Sequence, residues 1–245
     1  MPFHLAPHFA DQVIWPHDRI GYVDGFLSPD DVALVTRELQ FAYWRPSPTY
    51  QAMPDGTRRD VVNSFRSSDS AYYHWFTPEL LKFLTTLDQR VSKAFGFKPE
   101  CLEPWQATRY KPGGSFEFHR DSGYWGDHPA GERITTFLLH LVKADVGGAT
   151  SFRALGLDVL PVPGRLVFWL NHDDDSGQAD YRMIHSGAPV EKGTKLTLAS
   201  WQRERPFPRD LAVGAAQTKQ ARGEGEARYA KKSSAKAKAR YEEEA

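Results

Sequence analysis

Two stretches in the first hundred residues carry apolar positions at helical spacing. In the first, Ser28-Pro29-Asp30-Asp31 reads as an N-cap, a first-turn proline and two acids at the positive end of a helix dipole. Val32, Leu34, Val35 and Leu39 follow. In the second, Thr77-Pro78-Glu79 repeats that logic before Leu80, Leu81, Phe83, Leu84, Leu87 and Val91, and Gly96 supplies a left-handed stop. Beyond Gly96 the period shortens to two. Strands are predicted over 104–111, 114–120, 133–143, 148–153, 157–161, 165–170, 181–187 and 194–203, separated by Gly, Pro, Asp and Asn clusters. Lys195-Leu196-Thr197-Leu198-Ala199-Ser200-Trp201 is a clear alternating run. About eight short strands preceded by helices predict a mainly β fold, a jelly roll or barrel with helices packed on one side. There is no internal repeat.

The pattern stops near residue 210. Residues 1–210 read as one domain, with a helical part over about 1–100 and a β core over about 101–210. Residues 211–245 hold eight Lys/Arg and five Glu, so the rest of the chain carries 31−8=23 basic and 31−5=26 acidic residues. This end reads as a charged, low-complexity tail unable to bury enough apolar surface to fold alone. A basic arm for an acidic partner is the alternative, which Glu224, Glu226 and Glu242 to Glu244 argue against.

Composition narrows the function classes. With 31 basic and 31 acidic residues, net charge favours neither nucleic acid nor a membrane surface as the main partner. Cys101 is the single cysteine, which rules out an intramolecular disulfide and any zinc site built on two cysteines. No secretory signal is read at the start, and no apolar run approaches the roughly 18–20 residues of a membrane span. A cytoplasmic protein is expected, of undetermined oligomeric state. The 13% of aromatic residues, seven Trp among them, suits either a β core or an apolar pocket.

Candidate chemistry begins at His119-Arg120-Asp121, which closes the strand Ser115-Phe116-Glu117-Phe118. Residues i and i+2 of a strand share a face, so imidazole and carboxylate can reach one ion while Arg120 points away. His185 on another strand can complete a set of two imidazoles and one carboxylate, the facial triad of non-haem iron oxygenases. A second His-x-Asp, His172-Asp173-Asp174, sits in a segment dense in turn formers and reads as a polar loop. Lys195, ten residues after His185, begins an inward-alternating strand. A lone ammonium at the base of an apolar pocket calls for a carboxylate partner, which a dicarboxylate co-substrate would supply.

From about Glu103 to Arg205 the chain resembles the prolyl 4-hydroxylase-like branch of the Fe(II)/2-oxoglutarate-dependent dioxygenases. The matching blocks come in order: Arg109-Tyr110-x-x-Gly113-Gly114, His119-x-Asp121, Arg133-x-x-Thr136-x-Leu138 and Gly147-Gly148-x-Thr150-x-Phe152. They continue with Gly164-Arg165-Leu166-Val167-Phe168, His185-Ser186-Gly187-x-Pro189-Val190-x-x-Gly193-x-Lys195, and Trp201. The resemblance implies a double-stranded β-helix (jelly-roll, cupin-like) core with Fe(II) on His119, Asp121 and His185. It implies Lys195 on the distal carboxylate of 2-oxoglutarate, with Tyr110 and Trp201 beside the co-substrate, and ascorbate as a reductant. His140 stands where the family usually has an aromatic residue near the co-substrate; it could bond the same carboxylate or be a buried histidine with its own partner.

The implied reaction consumes 2-oxoglutarate and O2, hydroxylates an unactivated C–H and releases succinate and CO2. Asp121 argues against halogenation, because halogenating relatives carry a small residue there. The substrate could be a small molecule, a free amino acid or a prolyl residue of a partner protein. Substrate contacts are expected from Asn63, Arg66 and Tyr124, with Tyr43-Trp44, Tyr72-Tyr73 and Trp125 as further aromatic candidates. Arg66 is able to grip a carboxylate as a fork. A cupin-like metal-binding module without turnover, or an interaction protein working through its tail, are the rival readings.

Overall fold

The computed structural model of the chain describes residues 3–54, 57–173 and 176–208. The tail over 211–245, and Asp174 and Asp175 in the loop after Leu170, lie outside the described residues.

Both predicted helices form. The first spans Pro29–Glu38 and opens on a capping box, in which the Ser28 hydroxyl accepts from Asp31 N–H and the Asp31 carboxylate accepts from Ser28 N–H. The second spans Pro78–Phe95; the Thr77 hydroxyl accepts from Leu80 N–H, and Gly96 at φ 67° ends it. Leu80, Leu84, Leu87 and Val91 on its inner face are buried against one face of an eight-stranded sheet.

That sheet runs, edge to edge, Ile14–His17, Ile20–Val23, Leu166–Leu170, Arg133–Val142, Lys195–Arg203, Gln106–Tyr110, Asp69–Tyr72 and Arg45–Pro46, with antiparallel neighbours throughout. A four-stranded sheet packs on its other face in the order Leu157–Val159, Thr150–Phe152, His185–Gly187 and Phe116–His119. Two sheets of this kind, with helices outside the larger one, make a double-stranded β-helix.

Period-two alternation assigns each residue of the large sheet a destination. Phe137, Leu139 and Leu141 face the helices, as do Leu166, Phe168, Leu196 and Leu198. Thr136, Leu138, Lys195, Thr197, Ala199 and Trp201 face the other way, into the space between the sheets. The functional residues are therefore the polar half of strands whose apolar half builds the core.

Two features depart from the sequence reading. The first hundred residues are not only helical: they contribute four strands to the large sheet and a separate hairpin, Thr49–Ala52 with Arg58–Val61. These strands have two to four residues, too short to show alternation. The predicted strand 181–187 divides into a 3-10 turn at Tyr181–Met183 and a strand at His185–Gly187, because Asp180 caps the turn by accepting from Arg182 N–H. Gly147 ends a short strand, Val146–Gly147, that pairs with Val190–Lys192, and φ is near 80° at both Gly147 and Gly148. A Cβ on Gly147 would lie 2.2 Å from the Pro189 carbonyl oxygen, so only glycine fits.

Candidate active site

The small sheet sets His119 opposite His185 across two paired strands, and Asp121 follows two residues past the end of the first. One ligand atom from each of the three lies within 4.8 Å of the other two. His119 Nε2 is 3.9 Å from one oxygen of Asp121, and His185 Nε2 is 3.7 Å from the other. Both imidazoles direct Nδ1 at a backbone carbonyl, Glu117 O at 2.8 Å and Met183 O at 3.0 Å. That contact puts the proton on Nδ1 and leaves the Nε2 lone pair for a metal. The rings are also held by aromatic contacts: His119 stacks on Phe116, and His185 meets Trp169 edge-on.

Electrostatics prepares the same donors. Burial, reinforced by neighbouring His185, brings the His119 imidazole down to about 3. Burial pushes the Asp121 carboxyl upward, but the His185 and His119 imidazoles outweigh it and bring it to about 2. At neutral pH the site offers a neutral His119 and an ionised Asp121, the forms that ligate a divalent ion.

A second layer orients the carboxylate. Thr136 Oγ1 donates to Asp121 Oδ2 at 2.7 Å and accepts from Asn171 Nδ2 at 2.9 Å. Ser122 Oγ in turn donates to the Asn171 carbonyl at 3.1 Å. Thr136 has one O–H, and an acceptor-only carboxylate takes it. Thr136→Val is expected to weaken metal binding by about 10- to 100-fold, while Thr136→Ser retains most of it. Titrating each variant with Co(II) and following its visible absorption reads the difference.

Two cavities meet at the triad. The smaller, about 80 Å³, is walled by Tyr110, Thr136, His185, Lys195, Thr197 and Trp201 among others. Lys195 and Tyr110 are register partners on adjacent strands, and the ammonium lies 5.5 Å from the Tyr110 ring centre. Lys195 is 3% exposed, has no carboxylate partner among the described residues, and burial brings it down to about 8. The larger cavity, about 400 Å³, opens outward between the Thr49–Ala52 hairpin and Tyr124-Trp125. His119, Asp121, Arg66, Phe116, Gln106 and Trp201 form part of both walls.

The sequence candidates sort accordingly. Tyr110, Lys195 and Trp201 join the triad in the small cavity; Arg66, Tyr72, Tyr124 and Trp125 line the large one. His140 is fully buried but is not among the cavity-lining residues; its neighbour across the sheet is Thr197. Neither of its ring nitrogens has a hydrogen-bond partner among the described residues, and burial, with the Lys195 charge, holds it well below the usual histidine range.

Asn63 lines neither cavity. Its side chain donates to Thr49 Oγ1 and accepts from Phe65 N–H, bracing the hairpin base. Tyr43 packs on Trp75, Trp44 donates to the Leu39 carbonyl, and Tyr73 packs against the core. In the second His-x-Asp segment, His172 serves through its backbone carbonyl, which accepts from Arg19, and Asp173 pairs with Arg182. Sequence reasoning missed Asn171 and the hairpin. It registered Thr136 within a motif without giving it a role, although a threonine facing a cavity from a core strand was the available signal.

A double-stranded β-helix that gathers two imidazoles and one carboxylate beside a buried lysine defines a mononuclear metal-site protein of the oxygenase type. Residues 105–203 match the model of the 2OG-Fe(II) oxygenase superfamily. The chain is 32% identical to prolyl 4-hydroxylase subunit alpha-1 of Gallus gallus over 147 residues, covering 58% of this chain and 28% of that one. It is 32% identical to subunit alpha-3 of Mus musculus over 210 residues, covering 83% and 37%. The chain thus spans well under half the length of these relatives.

Among solved structures, a viral collagen prolyl hydroxylase from Paramecium bursaria Chlorella virus-1 matches with a TM-score of 0.54 and 22% identity, over 76% of this chain and 96% of that one. A prolyl-4-hydroxylase from Pseudomonas putida matches with a TM-score of 0.51 and 22% identity, over 81% and 100%. These two establish the fold. The chain belongs to the prolyl 4-hydroxylase-like 2OG-Fe(II) oxygenases, whose cofactors are Fe(II) and 2-oxoglutarate. The His119–Asp121–His185 donor set fits Fe(II).

Proposed function

We propose that the chain is a Fe(II)- and 2-oxoglutarate-dependent dioxygenase that hydroxylates an unactivated C–H bond, releasing succinate and CO2. The observation that carries this reading is the pair of cavities that share His119 and Asp121: a small one ending on an unpaired buried ammonium, and a larger one open to solvent. Iron with 2-oxoglutarate supplies oxidising power from O2; the protein supplies placement and exclusion.

In this reading, His119, Asp121 and His185 hold the iron, and Thr136 keeps the carboxylate turned. Lys195 neutralises the distal carboxylate of 2-oxoglutarate, with Tyr110 and Trp201 enclosing it. His140, beside Thr197 on the neighbouring strand and outside both cavity walls, has two ring nitrogens without a partner among the described residues and is able to reorganise toward the same carboxylate. Arg66 stands at the junction of the cavities with an end of its guanidinium available to substrate, since Nε donates to Ser68 Oγ and Nη2 to Thr108 Oγ1. The names of the relatives support a prolyl substrate. A metal module without turnover would have no use for a buried lysine left without a carboxylate.

The test is to add Fe(II) and 2-oxoglutarate without oxygen and look for the weak visible charge-transfer band of the chelate. The band is expected. Folded protein that binds iron and gives no band would overturn the co-substrate assignment.

A further inference from the structure

The geometry points to a substrate that carries a carboxylate near the reacting carbon, drawn in by a ring of arginines around the mouth of the large cavity; this rests on the reading above. The cavity wall is aromatic, and four guanidiniums lie on its rings; Arg66 and Arg120 line the cavity themselves, while Arg58 and Arg153 flank it through the rings they cover. Arg58 and Arg120 both sit on Tyr124, at 4.9 and 4.7 Å from the ring centre. Arg153 sits on Phe118 at 3.9 Å, and Arg66 on Phe116 at 4.6 Å. These four come from separate parts of the chain: the hairpin, the bridge residue opposite Phe116, the residue between two metal ligands, and the turn after Phe152.

No carboxylate among the described residues pairs with any of the four. Other arginines are neutralised: Arg133, which also lines the large cavity, shares Glu103 with Arg203, Arg109 has Asp69, and Arg165 has Asp24. The acids in the cavity wall are Asp60, which makes no ion pair among the described residues, and Asp121, which belongs to the triad. Gathering like charges without a counter-ion is unfavourable unless an anion joins them. A guanidinium lying over a ring can still direct in-plane N–H donors at a carboxylate; Arg66 spends Nε and Nη2 on Ser68 and Thr108, and Arg120 is hydrogen-bonded to Tyr124 and Tyr181, so each offers its remaining donors.

The charge is local. The chain as a whole carries 31 basic and 31 acidic residues, and no lysine lines the large cavity. This favours one or two carboxylates on a compact substrate over the phosphate track of a nucleic acid. The carboxylate has two sources: Asp or Glu beside the proline of a peptide, or the α-carboxylate of a free imino acid.

Capped pentapeptides with a central proline flanked by Glu, Gln or Lys separate these cases, alongside free proline and prolinamide. Binding is read by quenching of tryptophan fluorescence, since Trp125 and Trp201 line the cavity, and turnover by succinate. The fluorescence needs no band from the iron chelate, so failure of the cofactor reading and failure of this inference are separable. The Glu peptide is expected to bind about tenfold tighter than the Gln peptide at low salt, the preference fading as ionic strength rises. Preference for proline over prolinamide would instead assign the α-carboxylate.

Arg58→Gln or Arg153→Gln alone should weaken the Glu peptide by about threefold, and the pair by about tenfold, with the Gln peptide unmoved. Both residues are exposed and outside the metal site, so folding is retained. Arg58→Glu with Arg153→Glu should shift preference to the Lys peptide. Equal binding of Glu, Gln and Lys peptides together with equal binding of proline and prolinamide, no binding by any of these ligands, or tighter binding of a single-stranded oligonucleotide would each overturn the proposal.

Discussion

His185→Ala is expected to abolish substrate-stimulated succinate release and to weaken iron binding by more than about a hundredfold, the upper end of what loss of an outer-layer partner alone costs. The ring does three things at once. Its Nε2 stands 3.7 Å from Asp121, its Nδ1 is turned to the Met183 carbonyl, and its ring packs edge-on with Trp169. Removal leaves two ligands on one strand end, His119 and Asp121, which cannot enclose an ion. His119→Ala should behave alike. Far-ultraviolet circular dichroism and a melting curve on metal-free protein check that the fold survives, and iron content after gel filtration reads the loss. A His185→Ala protein that still retains iron and turns over would remove this residue from the metal site.

The second large effect belongs to Lys195. Its pKa falls from 10.5 to about 8 because burial strips the ammonium of water. At neutral pH the empty protein therefore holds a charge it would be more stable without, at a cost of roughly 3 kcal/mol by the pKa shift. A bound carboxylate reverses that balance. Lys195→Ala should raise the 2-oxoglutarate concentration needed for half-maximal rate by about 30-fold or more, as removing one member of a buried charge pair costs roughly 2–5 kcal/mol. Lys195→Met should do the same and also melt higher than the parent without co-substrate, because it fills the space and removes the unpaired charge.

The sign with pH follows from the depressed value. Below about 8 the ammonium is charged and binds the carboxylate; as pH rises through about 8 it loses its proton, and apparent affinity for 2-oxoglutarate should fall by up to about tenfold per unit. An unchanged 2-oxoglutarate requirement in Lys195→Ala would contradict the assignment.

Much of this was legible in the chain because local rules govern it. Ser28, Thr77 and Gly96 announced the helix ends, and those ends form where capping chemistry requires. Most core strands followed from alternation or from apolar runs between turn residues, although Tyr181–Met183 is a 3-10 turn and the short pair Val146–Gly147 with Val190–Lys192 was not read, and alternation placed Lys195, Thr197 and Trp201 on one face. His119 and Asp121 were a local pair. The short strands of the first hundred residues were not legible: Arg45–Pro46 and Asp69–Tyr72 exist only through pairing with each other and with Gln106–Tyr110, far along the chain. Asn63 was misplaced for a related reason, since its polar side chain is consumed by Thr49 and Phe65 and lies outside both cavities.

The sequence by itself determined the elements, the faces their residues occupy and the ligand types on offer, because caps, periods and i,i+2 spacing act over a few bonds. Tertiary structure alone decided that His185 lies across from His119, that Thr136 and Asn171 lock Asp121, that Lys195 has no carboxylate partner among the described residues, and that Arg58, Arg66, Arg120 and Arg153 lie on rings of one cavity wall. Those relations join residues tens of positions apart. What fixes them is the pairing and packing of whole strands, which no local pattern encodes.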